Sequence, residues 1–491
     1  MLRVYQLKGI FPSGFISSLL AAASLQAQPA PSVAAGFQPL PQGTPWDANF
    51  GHGVQRTMRI LESSGPGHHP TVRILFDGQS ITEQDWWKFV AADLRARYPH
   101  ADLQMENRAL GGFASQLLKQ TAHADLYPFY PDLVVFYVYG SHIDYKEIIR
   151  ETRRQTTAEI LLQTDHVTSA PDMDEPTDPA LLSQQQWNSW FPNVFVPGIA
   201  ESYQTGLIEQ RNLWKSYLKK NGLQPSDLLR DGVHLNAHGC HLMGEIVKAH
   251  LVRHPALDTQ IPANGTIREF VVGKDVFWSG GVLEIPVEGN RVDLLPGPQG
   301  GGEVEVLLDG KPPSAAPALY GFGRTSLVPG STWPAVRMLG HRSPLIPETW
   351  SARISSISPD GKTFRFEVEG SVTGPDGAGD SSASFVSRSG RVAIDPGAWS
   401  LDYAVAVFKK PLEAFTVQWA VEPRFLDRVT LSADREGGEK TITVAQGTEN
   451  GPHVLMLKAG DAGTPVLRSV RVYAPPLGKS GLQNQRAHAA K

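Results

Sequence analysis

The sequence predicts an α/β domain, a parallel β-sheet with helices on both faces, followed by an all-β sandwich or jelly-roll domain. Three observations lead there. Between Arg73 and about residue 255, short apolar runs of strand length alternate with stretches whose apolar residues recur at helical spacing. After about residue 256, helical spacing gives way to short strand-like runs separated by Gly, Pro, Asn and Asp. The chain has 491 residues, too many for one ordinary core.

The elements follow in order. Arg3 and Lys8 precede the apolar stretch "GFISSLLAAASLQA", which ends in small residues. That pattern predicts a signal peptide over 1–27, cut after Ala27, and so a secreted or periplasmic mature chain. Residues 28–69 read as a Pro/Ala/Gln/Gly-rich linker with a short helix at Val54–Ser63. The α/β domain is expected over 70–255. Arg73–Phe76 is its first strand, and Gln84–Tyr98 is a helix with Trp87, Val90, Leu94 and Tyr98 at helical spacing, stopped by Pro99. "ADLQMENRAL" gives a second strand ending near Asn107, and "ASQLLKQTAHADLY" a helix. "PDLVVFYVYG" is continuously apolar between a Pro and a Gly, as a strand buried on both faces would be. "KEIIRETRRQTT" is helical, "AEILLQTDHV" is a fourth strand, Glu201–Asn221 reads as one long helix, and "AHGCHLMGEIVKAHLVRH" closes the domain as another. The interval from Thr168 to Gly198 is irregular, acidic and Pro-rich, and carries Trp187, Trp190 and Phe191, which suits an ordered lid or wall.

The all-β domain is expected over 256–477, with "GEVEVLLDGK", "FRFEVEGSV", "LDYAVAVF", "FTVQWAVE", "KTITVAQ" and "HVLMLKAG" among its strands. It reads either as one sandwich with an excursion through 312–360 or as two small ones. The polar tail, 478–491, is expected to be disordered.

Composition narrows the function. With a formal net charge of -4, nothing advertises nucleic-acid binding or a polybasic membrane patch. No apolar run downstream of the N-terminus reaches the roughly 18 to 20 residues of a membrane span. The single cysteine, Cys240, excludes an internal disulfide. It reads as a small core residue of a helix.

In an open parallel sheet, sites form at the carboxyl ends of the strands. Here those ends carry Gly78-Gln79-Ser80, Asn107 to Gly112, Gly140-Ser141-His142 and Thr164-Asp165-His166, with "DGVHLNAHG" following later. These pieces fit nucleophilic acyl transfer. Ser80 is the candidate nucleophile, His234 the base that takes its proton, and Asp231, three residues earlier, the acid that orients the imidazole. The Ser80 and Gly112 N–H groups and the His142 side chain are candidate oxyanion donors. Each residue also has an ordinary reading: Ser80 as a helix N-cap, Asp231-Gly232 as a turn, His142 as a packed loop histidine. Gln79, Asn107, Asp165, His166, Trp187 and Trp190 are candidate substrate contacts, Asp165 and His166 alternatively structural. His234, His238 and His241 have spacings that suit zinc on one helical face, but no carboxylate base lies inside the pattern and no metal or other cofactor is called for.

This arrangement resembles the SGNH hydrolases, the GDSL esterase superfamily. Gly78-Gln79-Ser80 matches their Gly-Asp-Ser block. Asn107 and Gly112 match the second block, and Asp231 and His234 match the closing Asp-x-x-His before a helix. The likeness covers about 70–255. It implies a flavodoxin-like three-layer sandwich and a serine esterase with an acyl-serine intermediate. Together with export and an appended β domain, it suggests O-acetyl groups on a carbohydrate, so that the expected partner is a small-molecule or polysaccharide ester. Two positions depart from the pattern. Gln79 stands for the usual Asp, as in the sialate O-acetylesterase branch. His142 stands where an Asn usually helps to hold the oxyanion. The alternative reading is a non-catalytic carbohydrate-binding protein on a degenerate esterase scaffold.

Overall fold

The computed structural model describes residues 36–176, 178–260, 266–432, 440–460 and 465–477. The expected signal peptide and the polar tail lie outside the described residues. Two compact units divide the rest. One is built from residues 36–324, 344–347 and 420–477, the other from 325–343 and 348–419.

The larger unit contains a five-stranded sheet. Its strands are β1 (Thr71–Gly78), β2 (Asp102–Asn107), β3 (Leu133–Tyr137), β4 (Glu159–Gln163) and β5 (Gly206–Ile208), in the order β2-β1-β3-β4-β5. All four pairings are parallel. The helices that connect and cover these strands are α1 (Gln55–Glu62), α2 (Ser80–Glu83), α3 (Trp86–Arg97), α4 (Ser115–Asp125), α5 (His142–Gln155), α6 (Ala170–Met173), α7 (Trp187–Trp190), α8 (Val196–Tyr203), α9 (Gln210–Asn221) and α10 (Ala237–His250). Central β3 is buried at every position, while the edge strand β2 alternates exposed and half-buried residues. The apolar run and the alternating run in the sequence thus mark centre and edge. Val72, Ile74 and Phe76 of β1 join Trp86, Val90 and Leu94 of α3, Trp214 of α9 and Leu242, Met243 and Ile246 of α10 in one core. Each fully buried Leu, Val or Phe there stabilises the fold by about 1.5–3 kcal/mol.

The stretch expected as a single helix over Glu201–Asn221 is in fact helix, strand and helix. α8 ends at Tyr203, Gln204 turns into the left-handed region at φ 51°, and β5 runs alongside β4 before α9 begins at Gln210. A strand of three residues is too short to disturb the apolar periodicity on either side of it, so the two helices read as one.

The same unit carries an antiparallel sheet. After β6 (Ile267–Val271), β7 (Val282–Pro296), β8 (Glu303–Leu308) and β9 (Tyr320–Phe322), the chain returns to it with β16 (Arg428–Thr430), β17 (Ile442–Ala459) and β18 (Leu467–Tyr473). Six of these make the order β16-β8-β17-β7-β18-β6. Leu283, Ile285 and Leu294 of β7, Leu455 and Leu457 of β17 and Val470 of β18 form its core. "KTITVAQ" and "HVLMLKAG", expected as two strands, are one strand, β17, whose pairing with β7 shifts register near Thr443 and again after Gln446.

The smaller unit holds β10 (Thr349–Ser355), β11 (Arg365–Gly370) and β12 (Gly374–Asp380), paired antiparallel in sequence, and the short hairpin of β13 (Phe385–Val386) with β14 (Ala393–Ile394). β15 (Phe415–Pro423) follows the helix α11 (Leu401–Phe408). That helix occupies "LDYAVAVF", which was expected as a strand. Its buried residues, Leu401, Ala404 and Val405, fall at helical spacing. A run apolar on nearly every residue fits either period, and tertiary packing decides. The observed fold class is therefore the expected one, an α/β domain followed by antiparallel β-sheets, with these three local corrections. Among the described residues no helix is long and apolar enough to cross a membrane.

Candidate active site

Ser80 is the first residue of α2, two residues beyond the point where β1 ends at Gly78. The turn is tight. A side chain at Gly78 would place its Cβ 2.3 Å from both the Tyr137 carbonyl and Thr82 Oγ1, so only glycine lets α2 fold back on the strand end. Two amides lock it. Gln79 Nε2 donates to the Tyr139 carbonyl at 3.0 Å, and its Oε1 accepts the Tyr139 N–H at 3.1 Å. Asn107 Nδ2 donates to the Thr82 carbonyl at 2.6 Å while its Oδ1 accepts the Ala109 N–H at 3.0 Å. Both ends of each amide are engaged by backbone, which gives Gln79 and Asn107 a scaffold role at this turn.

Asp231 and His234 lie in a loop closed by the Leu229–Leu235 bridge and by the Arg230 N–H donating to the His234 carbonyl at 2.7 Å. Asp231 Oδ1 accepts the backbone N–H of Val233 (2.9 Å) and of His234 (2.7 Å). The imidazole Nδ1 of His234 is 3.0 Å from Asp231 Oδ2, and its Nε2 is 3.0 Å from Ser80 Oγ. An ionised carboxylate only accepts, so Nδ1 carries the proton and Nε2 is left to accept from the Ser80 hydroxyl. Burial raises the Asp231 pKa, but the two backbone donors and His234 outweigh it and hold the carboxyl below its usual range. The structure thus brings Ser80, His234 and Asp231 into one hydrogen-bonded row, with Ser80 and His234 separated by 154 positions in sequence.

The loop has supports that the motif does not announce. His166 is 2% exposed. Its Nε2 lies 2.8 Å from the Val233 carbonyl and its Nδ1 2.9 Å from the Tyr137 hydroxyl. Donation from Nε2 fixes its tautomer, and burial lowers its pKa to about 4, so the ring is neutral. Gln84, just after α2, pairs its amide with both the N–H and the carbonyl of Leu235, each at 2.9 Å. Asn236 caps α10 by accepting the Gly239 N–H at 3.0 Å. Gln84 carries no spacing signal, and His166 could have been found only as a strand-end histidine.

Gly112 belongs to a turn in which the Phe113 N–H donates to the Leu110 carbonyl at 3.0 Å. Its φ of +82° is the third-position geometry of a type II turn, which favours glycine. The Leu110 N–H donates to the Gly78 carbonyl at 3.0 Å, which fastens this turn to the end of β1.

His142 is different. It is the first residue of α5, after the N-cap Ser141. Its ring sits among Trp187, Trp190 and Phe195, with centroids 5.5, 5.8 and 5.7 Å away, and makes no hydrogen bond to the described residues. Trp187 and Trp190 are half-buried, and the cluster continues to Tyr139, the residue that Gln79 grips. The segment that carries these aromatics is anchored by charge. Arg211, 2% exposed, contacts Asp165 at 3.0 Å, Asp172 at 3.1 Å and Glu175 at 2.5 Å, and Lys215 reaches Glu175 at 2.6 Å. Asp165 is thereby a member of a structural ion cluster.

The histidines spaced for zinc do not converge. His234 faces Ser80, while His238 stacks on Phe37 (4.3 Å) with its Nε2 2.6 Å from the Tyr217 hydroxyl. Among the described residues no group of three His, Cys, Asp or Glu could hold a metal. Cys240 is buried in α10, and burial pushes its thiol up to about 11.

Neither a scan against protein-family models nor a search of curated proteins returned a match. Among solved structures the chain is similar to Axe2, an acetylxylan esterase from Geobacillus stearothermophilus. Identity is 17%, the match covers 38% of this chain and 96% of that one, and the TM-score is 0.33. It is also similar to LAE5, an alpha/beta hydrolase enzyme from the metagenome of Lake Arreo, Spain, at 16% identity, 38% and 98% coverage and a TM-score of 0.31. Likenesses this slight carry no weight for function.

Proposed function

We propose that the protein is a secreted serine esterase of the SGNH type, which hydrolyses ester groups, O-acetyl groups on a carbohydrate in particular, through an acyl-serine. One observation carries the reading: the unbroken row Asp231–His234–Ser80, with both contacts of the imidazole at 3.0 Å. In the reaction, Ser80 Oγ attacks the ester carbonyl while His234 Nε2 takes its proton. Asp231 steadies the imidazolium that results. The carbonyl oxygen becomes an oxyanion, for which the N–H groups of Ser80 and Gly112 are the candidate donors. Such a donor contributes about 3–4 kcal/mol to the barrier when it is removed. Collapse expels the alcohol, which receives the proton from His234. A water activated by the same imidazole then attacks the acyl-serine, releases the acid and restores Ser80. The carbohydrate assignment is supported by the SGNH-like motifs, the export pattern at the N-terminus and the half-buried Trp187 and Trp190, whose rings suit stacking on a sugar.

The rival reading, a non-catalytic carbohydrate binder, draws on the His142 ring packed among aromatics where the family's oxyanion Asn is expected. One experiment separates the two. Wild type and Ser80→Ala are assayed on a chromogenic acetate ester, with and without chelator. We expect turnover by wild type alone and no effect of the chelator. Equal turnover by both proteins sinks the serine reading, and glycan binding without turnover in wild type favours the binder.

A further inference from the structure

We infer that Glu83 is a positioning residue of the proposed site: its carboxylate holds the Leu110–Phe113 turn that presents the Gly112 N–H. The inference rests on the serine-esterase reading.

Two observations support it. First, α2 is only four residues long, and Glu83 is three positions after Ser80, so the two side chains leave the same side of one turn. Second, Glu83 Oε1 accepts the Gly111 N–H at 2.7 Å. The peptide that follows Gly111 ends in the Gly112 N–H, so this bond sets the tilt of that donor. The fit is close on both sides. A Cβ on Gly111 would lie 2.5 Å from Glu83 Oε2, and the three atoms nearest to it all belong to the Glu83 carboxylate. Burial raises the pKa of that carboxyl, with the Gly111 N–H and His234 opposing.

Holding the turn needs an acceptor, which an amide also provides.

The test is steady-state kinetics of Glu83→Ala, Glu83→Gln and Gly111→Ala on the chromogenic acetate ester, with Ser80→Ala as the reference for the reading beneath. Glu83→Ala is expected to lower kcat about tenfold or more at little-changed KM, since misplacing a reacting group by about 1 Å costs up to about 100-fold. Glu83→Gln is expected to keep kcat within about threefold of wild type, because the acceptor remains. Gly111→Ala, whose new methyl group meets the Glu83 carboxylate, is expected to behave like Glu83→Ala. It provides a second route to the same loss if Glu83→Ala does not fold. Unchanged kcat in Glu83→Ala and Gly111→Ala, with Ser80→Ala inactive, overturns the inference and leaves the esterase reading intact. Loss in Glu83→Gln as deep as in Glu83→Ala overturns the turn-holding role. Activity in Ser80→Ala overturns the reading itself.

Discussion

His166 offers the sharpest test of how the Asp231–His234 loop is held. It is buried and neutral, with one ring nitrogen on the Val233 carbonyl and the other on the Tyr137 hydroxyl. Burial brings its pKa down from 6.5 to about 4. The unfolded chain therefore binds a proton between those two values that the folded chain refuses. Stability is fully present above the unfolded value and is lost as pH falls from about 6.5 towards about 4. Between pH 7 and pH 5 the loss comes to about 2 kcal/mol for this one residue, at 1.36 kcal/mol per pH unit of linkage. His250 is also buried, with its pKa lowered to about 4, and adds a similar slope of its own. A difference measurement removes that background. In His166→Gln an amide can still donate to the Val233 carbonyl, but nothing titrates. Urea unfolding of both proteins at pH 7 and pH 5, followed by circular dichroism, should show wild type losing about 2 kcal/mol more than the variant over that interval, with the m-value unchanged. Parallel pH dependence in the two proteins would refute the reasoning. It would mean that His166 accepts a proton in the folded state and that the loop is not held by a neutral imidazole.

Two further outcomes are expected. Arg211→Met leaves the carboxylates of Asp165, Asp172 and Glu175 with Lys215 as their remaining cation in the cluster, and should destabilise the protein by about 3–5 kcal/mol; limited proteolysis should then cut first within 168–190, and an unchanged cleavage pattern would deny that the cluster anchors this segment. His142→Ala should leave kcat within a few fold of wild type and raise KM, because its ring packs on Trp187 and Trp190; a loss of about 3 kcal/mol from the chemical step, the scale of one oxyanion donor, would show that the ring reaches the oxyanion after all.

Much of the fold was legible because strand burial and sheet position leave different patterns. The continuous apolar run of "LVVFY" marks the centre of the sheet and the alternation in "DLQMEN" its edge. β5 was not legible, because three residues between two helices cannot break a helical period by themselves. α11 was not legible because "LDYAVAVF" is apolar on so many positions that strand and helix readings coincide. The triad candidates were legible for a different reason. Ser80 lies just past a strand end and begins a helix, and Asp231 and His234 are tied within one loop, so each piece has a local signature even though 154 positions separate Ser80 and His234. Supporting residues lack such signatures. Gln84 and Glu83 are ordinary helix-edge residues in the sequence, and only the closed loop and turn reveal what their side chains hold.

That contrast changes where the chemistry depends on detail. From the sequence alone, His142 is the position on which oxyanion stabilisation turns, because its residue type departs from the family pattern. In the structure its ring is engaged by Trp187, Trp190 and Phe195 rather than by a hydrogen bond. On the proposed mechanism, the burden of preorganised donation then falls on backbone, at Ser80 and Gly112. Backbone donors are only as well aimed as the turns that carry them. One turn is fixed by Gly78, Gln79 and Asn107, and the other by its attachment to the Gly78 carbonyl and by Glu83. On that proposal, a missing side-chain donor at 142 is compatible with turnover if both turns are rigid, and Glu83, three residues after Ser80, is what holds the second.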